Sequence, residues 1–374
     1  MNADALDSGV FENGERAIYD MRALYQKYGY SRYKMSKFEE YDLYVRNKDF
    51  LVSGNVITFT DTDGRLMALK PDVTLSIVND SNPAEKCVQK VYYNENVYRV
   101  SKGTQSYKEI MQVGLECIGD VDSYCIYEVL MLASESLKKI SEDFVLDISH
   151  LGLVSAVIDG EGVSESGKQK IIKFLGEKNV HGISSVLASE NVKGENIIKL
   201  AKTYGGSVKV GSFLEEIKNE NTRGYIEELL TVITALENNG FKDKVRIDFS
   251  LVSDMNYYNG FTFKGFINGI PGGVLSGGQY DRLMEKMGRD CGAIGFAVYL
   301  DMLERFNETE REYDVDALIL YDENSDIKAL SDAVKMLSEG GKSVMAQKAV
   351  PAKIKYRQLL KVRERGVEII ENNA

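Results

Sequence analysis

Apolar residues recur at spacings of three and four between Ser8 and Tyr30 (Ala17, Ile18, Met21, Leu24, Tyr25, Tyr28), a period that predicts an amphipathic helix. Phe38–Leu51 mixes aromatic, apolar and charged positions and predicts no clear element. The period then falls to two. Val56–Thr60 and Leu66–Leu69 read as strands around the turn D-T-D-G-R, a hairpin signal. Pro71 interrupts any regular ladder in K-P-D-V-T (Lys70–Thr74). Asp72 and Thr74 are therefore expected at a strand end, where side chains can reach into a site. Val88–Val100 and Glu109–Gly119 are two further strands joined by S-K-G-T-Q-S, the simplest antiparallel arrangement.

Tyr124–Ile140 has a helical period, and Phe144–Ser149 is a short strand. From about 156 to 240 the chain is helical and rich in Lys, Glu and Gly, which reads as an inserted helical subdomain. The sheet resumes at Val245–Leu251 and Gly260–Ile267; Pro271–Asp281 ends a strand and enters a helix, and Gly292–Phe306 is helical at its end. After the polar linker N-E-T-E-R-E, residues 312–374 form a separate small α/β unit: strand Ala317–Tyr321, helix Ile327–Leu337 and strand Ser343–Gln347. The expected organisation is a core over 1–306 with the insertion inside it, followed by that unit.

One strand carries candidate chemistry. In M-Q-V-G-L-E-C-I-G (Met111–Gly119), alternation places Met111, Val113, Leu115 and Cys117 on one face and Gln112, Gly114 and Glu116 on the other. The first face is core. The second sets an amide and a carboxylate on either side of a glycine, which leaves room for something to approach the backbone. Gln112 can donate and accept, and an ionised Glu116 can only accept, a set that suits a small ligand with N–H groups such as an amino acid.

Composition narrows the classes. The 374 residues are 44% hydrophobic and 28% charged, ordinary for a globular protein. No stretch approaches the roughly 20 apolar residues of a membrane span, and the acidic start M-N-A-D-A-L-D-S-G-V lacks the features of a signal peptide. Cys87, Cys117, Cys125 and Cys291 form neither a C-x-x-C pair nor a disulfide framework. With only His150 and His181 besides, a structural zinc site is not expected, and both histidines are assigned structural roles. These features point to the cytoplasm. The net charge of −11 disfavours nucleic acid. The basic run Lys353, Lys355, Arg357, Lys361, Arg363, Arg365 is diluted by Glu364 and Glu368 and reads as a solvated helix face.

The ordered set T-F-T-D-T-D-G-R-L-M-A-L-K-P-D-V-T, N-V-Y-R-V-S, Y-K-E-I-M-Q-V-G-L-E-C-I-G, M-N-Y-Y-N-G-F-T-F, G-G-Q-Y-D-R-L and A-I-G-F-A resembles the class II aminoacyl-tRNA synthetase core, specifically histidyl-tRNA synthetases, over roughly residues 8–306. The resemblance implies an α+β fold: a six- or seven-stranded antiparallel sheet flanked by helices, a homodimeric core and a histidine pocket. The pocket would comprise Asp72, Thr74, Arg99, Gln112, Glu116, Tyr257 and Tyr258. Asp72 and Thr74 fall where the family holds the α-amino group, with Gln112 at the same end; Glu116 and Tyr258 fall where it grips the imidazole. Asp72 is one methylene shorter than the family's usual glutamate. Tyr257 and Tyr258 also suit mutual packing, and Gly277 and Gly278 are expected to let sheet and ligand approach closely.

The departures concern ATP. Adenylation needs several cations around a polyphosphate, and arginine suits this because its fork stays charged and binds in two places. Arg99 is retained, but Ser101 replaces a glutamate, Ser106 and Lys108 stand in place of loop arginines, Ser253 replaces the arginine of R-G-L-D-Y-Y-T-G, and Gln279 and Met302 replace two more. No catalytic residue, cofactor or metal is therefore expected. The pattern Y-Y-N-G-F-T-F-K-G-F…G-G-Q-Y-D is more similar to the regulatory subunits of short-form ATP phosphoribosyltransferase, which keep the histidine pocket without catalysis. That resemblance implies the catalytic subunit as partner, a second copy of the chain, and histidine as effector, with no tRNA and no membrane. The alternatives are a divergent synthetase relying on Arg99, Lys102 and Lys108, and an orphan synthetase-like amino-acid-binding protein.

Overall fold

Among the described residues, the first helical period forms α1 (Asn13–Lys27), followed by β1 (Ser31–Arg32), β2 (Phe38–Glu40), α2 (Tyr41–Arg46), β3 (Thr58–Thr60) and β4 (Leu66–Leu69). The chain continues through α3 (Thr74–Asp80), β5 (Val88–Val100), β6 (Tyr107–Gly119), α4 (Ser123–Ile140) and β7 (Phe144–His150). The mainly helical stretch that follows holds α5 (Leu151–Gly160), α6 (Glu165–Gly176), α7 (Val180–Ser189), α8 (Glu195–Lys202), β8 (Tyr204–Gly205), α9 (Ser207–Glu216) and α10 (Arg223–Leu236). Then come β9 (Val245–Asp248), β10 (Phe261–Ile267), β11 (Gly273–Gln279), α11 (Asp281–Lys286) and β12 (Gly292–Tyr299). This computed structural model describes residues 13–48, 51, 56–101, 106–252, 257–303, 312–363 and 366–373. Its two compact units are Met1–Phe306 and Asn307–Ala374.

The first unit is built on a sheet ordered β1-β5-β6-β12-β11-β10-β7-β9-β8. It is antiparallel except for β1 beside β5 and β7 beside β9. The expected six or seven strands become nine, because the two-residue strands β1 and β8 extend the edges. Strands β5 and β6 pair in one register along their whole length, from Val88 opposite Gly119 to Val100 opposite Tyr107. One face of β6 (Val113, Leu115, Cys117) is buried against α1 and α4, where Met21, Tyr25, Val129 and Leu132 close the core. Asp122 caps α4 by accepting the Cys125 N–H at 2.9 Å, satisfying a donor that the helix start leaves orphaned. His150 caps α5 in the same way: Nδ1 accepts the Leu153 N–H at 3.2 Å, so Nε2 carries the proton toward Glu228 Oε2 at 3.1 Å.

Smaller differences from the sequence reading have local causes. The β3–β4 turn closes on Asp61, whose Oδ1 accepts the Asp63 and Arg65 N–H groups at 2.9 and 2.8 Å while Gly64 takes φ +81. Asp72 and Thr74 follow the end of β4, and Thr74 opens α3, which is seven residues long and too short to show a period. Pro271–Asp281 contains a full strand, β11, and Gly292–Phe306 opens with another, β12.

In the second unit, β13 (Val315–Leu320), α12 (Ile327–Glu339), β14 (Val344–Gln347), β15 (Tyr356–Arg363) and β16 (Gly366–Asn372) give a four-stranded sheet ordered β14-β13-β15-β16. The basic run is not a helix face. Its centre is β15, where Leu360 and Val362 are buried around the outward Lys361, a period of two that places them under Ala333 of α12. Arg365 lies outside the described residues.

Candidate functional site

Small side chains on the middle strands hollow out one face of the large sheet. Register aligns Tyr93 (β5), Gly114 (β6), Ala297 (β12), Ser276 (β11) and Lys264 (β10) in one row across the strands. The adjoining row reads Val91, Glu116, Gly295, Gly278 and Thr262. Above this floor lies a cavity of about 490 Å³, bordered on its other side by α3, the segment leading into it, and Tyr257, Tyr258 and Tyr280. Asp72, Thr74, Arg99, Gln112, Glu116, Tyr257 and Tyr258 all border this one cavity.

Glu116 is its centre. It is 2% exposed. Thr74 Oγ1 donates to Oε1 at 2.8 Å and Tyr280 OH donates to Oε2 at 2.6 Å. Its carboxylate lies over Gly295, where a Cβ would collide with Oε2. Burial raises its pKa to about 8, the two hydroxyl donors opposing the shift and the nearby Asp72 reinforcing it. Asp72 is also buried and its pKa is raised, first by desolvation, against the pull of the Leu75 N–H and the Arg99 charge. Its Oδ1 accepts the Leu75 N–H at 3.0 Å, so one oxygen holds the start of α3. Arg99 is anchored by its Nε, which donates to the Pro71 carbonyl at 3.1 Å. Two buried acids bordering one cavity favour N–H donors and positive charge within it.

Tyr257 packs edge-on against Tyr258 at 4.7 Å between centroids and lies 5.9 Å from Tyr280. Packing and cavity lining thus coexist in this pair. Gly278 is glycine because Tyr258 lies on it, whereas Gly277 faces the core side, where a Cβ would strike the Gly295 carbonyl, the Phe296 Cβ and the Phe263 ring. The space expected for a ligand above Gly114 is filled by the Tyr93 hydroxyl. Tyr93, Lys264 and Tyr280 border the cavity without having been singled out from sequence. Tyr280 sits within G-G-Q-Y-D, but only the strand register shows that its hydroxyl reaches Glu116.

Positions where a synthetase carries arginines have other occupations. Gln279 Oε1 accepts the Phe261 N–H at 2.8 Å, holding β11 to β10. Met302 packs against the apolar core. Lys108 is exposed on the β5–β6 hairpin; Lys102 and Ser253 lie outside the described residues. Among the described residues, no group of three or more His, Cys, Asp or Glu side chains is placed to hold a metal ion. No helix there is long and apolar enough to cross a membrane.

Comparison with known proteins places this geometry. An ATP phosphoribosyltransferase regulatory subunit from Caldanaerobacter subterraneus subsp. tengcongensis is 29% identical over 343 residues, 87% of this chain and 88% of that protein. The crystal structure of an ATP phosphoribosyltransferase regulatory subunit/histidyl-tRNA synthetase from Bacillus halodurans superposes with a TM-score of 0.74 at 25% identity, covering 93% of both chains. The ATP phosphoribosyl transferase (HisG:HisZ) complex from Thermotoga maritima shares the fold at 20% identity, with a TM-score of 0.64 over 78% of this chain and 98% of that one. The family model described as histidyl-tRNA synthetase matches residues 5–303, most of the chain, and the protein therefore belongs to the histidyl-tRNA synthetase family.

Proposed function

We propose that this chain is the non-catalytic regulatory subunit of ATP phosphoribosyltransferase. It assembles with the short-form catalytic subunit, is required for the first step of histidine biosynthesis, and binds histidine as the feedback signal. The observation that carries this reading is the division within one site. The cavity keeps buried acceptors for an amino acid, Asp72 and Glu116, while two positions that would grip ATP serve packing instead, with Gln279 on a backbone N–H and Met302 in the core. Each lost charge-assisted contact of this kind removes several kcal/mol of transition-state stabilisation, so adenylation is lost while recognition remains. The names of similar regulatory subunits support the same reading.

In this reading Asp72 and Gln112 take the α-ammonium end of histidine, and Glu116 and Tyr258 take the imidazole. Thr74 and Tyr280 hold Glu116 in place, and Tyr257 and Arg99 complete the wall. The core acts as a homodimer in the cytoplasm without tRNA, and residues 312–374 are either a remnant of an anticodon-binding-like domain or a separate regulatory module. Feedback requires histidine to bind one state of the complex better than another, since equal affinity shifts nothing. Reconstitution with the catalytic subunit from the same organism tests the role: phosphoribosyl-ATP formation depends on this chain and falls with histidine. Histidine-dependent exchange of pyrophosphate into ATP at an enzyme's rate contradicts it.

A further inference from the structure

A free amino acid brings three charged or polar ends into a cavity, and the site as read above accounts for two. The ammonium and the imidazole meet acids; the carboxylate needs a cation. Two cationic side chains, Arg99 and Lys264, border the cavity among the described residues. Arg99 is already engaged: its Nε is held by the Pro71 carbonyl and its charge acts on Asp72. Lys264 comes from the opposite side of the floor. It is half-buried on β10, in the row that runs through Gly114, Ala297 and Ser276. β10 is three strands from β6, about 14 Å at the usual strand spacing. Tyr93 covers Gly114 and Tyr258 covers Gly278, and the small residues left between them, Gly295, Ala297 and Ser276, line the same cavity as Glu116 and Lys264. The Ser276 hydroxyl, bonded to Tyr299 OH at 2.6 Å, adds a polar group on the same side.

We propose that Lys264 receives the carboxylate of the bound amino acid and sets the preference for an amino acid over the corresponding amine. This rests on the histidine-pocket reading. An ammonium carries three donors, so Lys264 can meet a carboxylate while keeping a protein partner. The charge distribution across the cavity then matches an amino acid: acids toward β6 and α3, a cation toward β10.

Calorimetric titration of the full chain with histidine and with histamine, its decarboxylated analogue, tests the assignment. The wild type binds histidine more tightly than histamine. Lys264→Met loses about 10- to 100-fold in histidine affinity, the worth of a charge-assisted hydrogen bond, and leaves histamine affinity within about twofold. Lys264→Gln, which keeps a polar tip, gives the same pattern should the methionine variant fold poorly. Equal losses for both ligands, or no loss for either, overturn the role of Lys264 while leaving the pocket standing. Failure of the wild type to bind histidine overturns the pocket reading, and Lys264 with it.

Discussion

Glu116 concentrates the chemistry of this protein in one carboxyl group. Its pKa of about 8 means that the empty site holds a proton at neutral pH, while free imidazole gains one below about 6.5. The complex keeps one proton between the two. Above about 8 the empty site has lost a proton that the complex retains; below about 6.5 site and ligand together carry one too many. Histidine affinity therefore peaks between these values and falls about tenfold per pH unit on either side. Titration across pH 5.5–9.5 checks this, and Glu116→Gln removes the upper limb as well as most of the affinity. Stability carries the same signature without ligand. A raised acid pKa means the folded state binds the extra proton, so wild-type stability declines from about pH 4.5 to about pH 8. The Tm advantage of Glu116→Gln widens over that window. Gly295 supports the same group: Gly295→Ala pushes on both Glu116 Oε2 and the Leu115 carbonyl. It costs about 1–3 kcal/mol by overpacking, read by denaturant melts, together with a loss of histidine binding.

At the scale of elements, the face of β6 was legible because alternation in Met111–Gly119 has one solution that buries Val113, Leu115 and Cys117. The rest of the floor was not. Ser276, Gly278 and Lys264 join Glu116 through the registers of β12, β11 and β10, and register is a property of paired strands rather than of any one of them. Helix α3 escaped because seven residues hold too few turns to show a period, and β15 because its charges masked the alternation of Leu360 and Val362. Helix α4 was legible from its period, and its start depends on a local device, the Asp122 carboxylate on the Cys125 N–H. Asp122→Ala removes that cap and lowers stability by about 1 kcal/mol, measured by urea denaturation. Histidine binding is unchanged, because the cap lies away from the cavity.

For the whole molecule, the family membership of residues 5–303 explains the fold, and the side chains decide what the fold still does. A synthetase site needs recognition and phosphate chemistry together. In the proposed reading the recognition half is kept around Asp72 and Glu116, while Met302 packs in the core and Gln279 holds a backbone N–H where a synthetase would carry arginines. On that reading the cavity acts through the difference in its affinity between states of an assembly. The most direct measurement is the rate of phosphoribosyl-ATP formation by the catalytic subunit with and without this chain, each with and without histidine. The account predicts a rate that depends on this chain and is suppressed by histidine, with suppression weakened by Glu116→Gln. A rate indifferent to both the chain and histidine would contradict it.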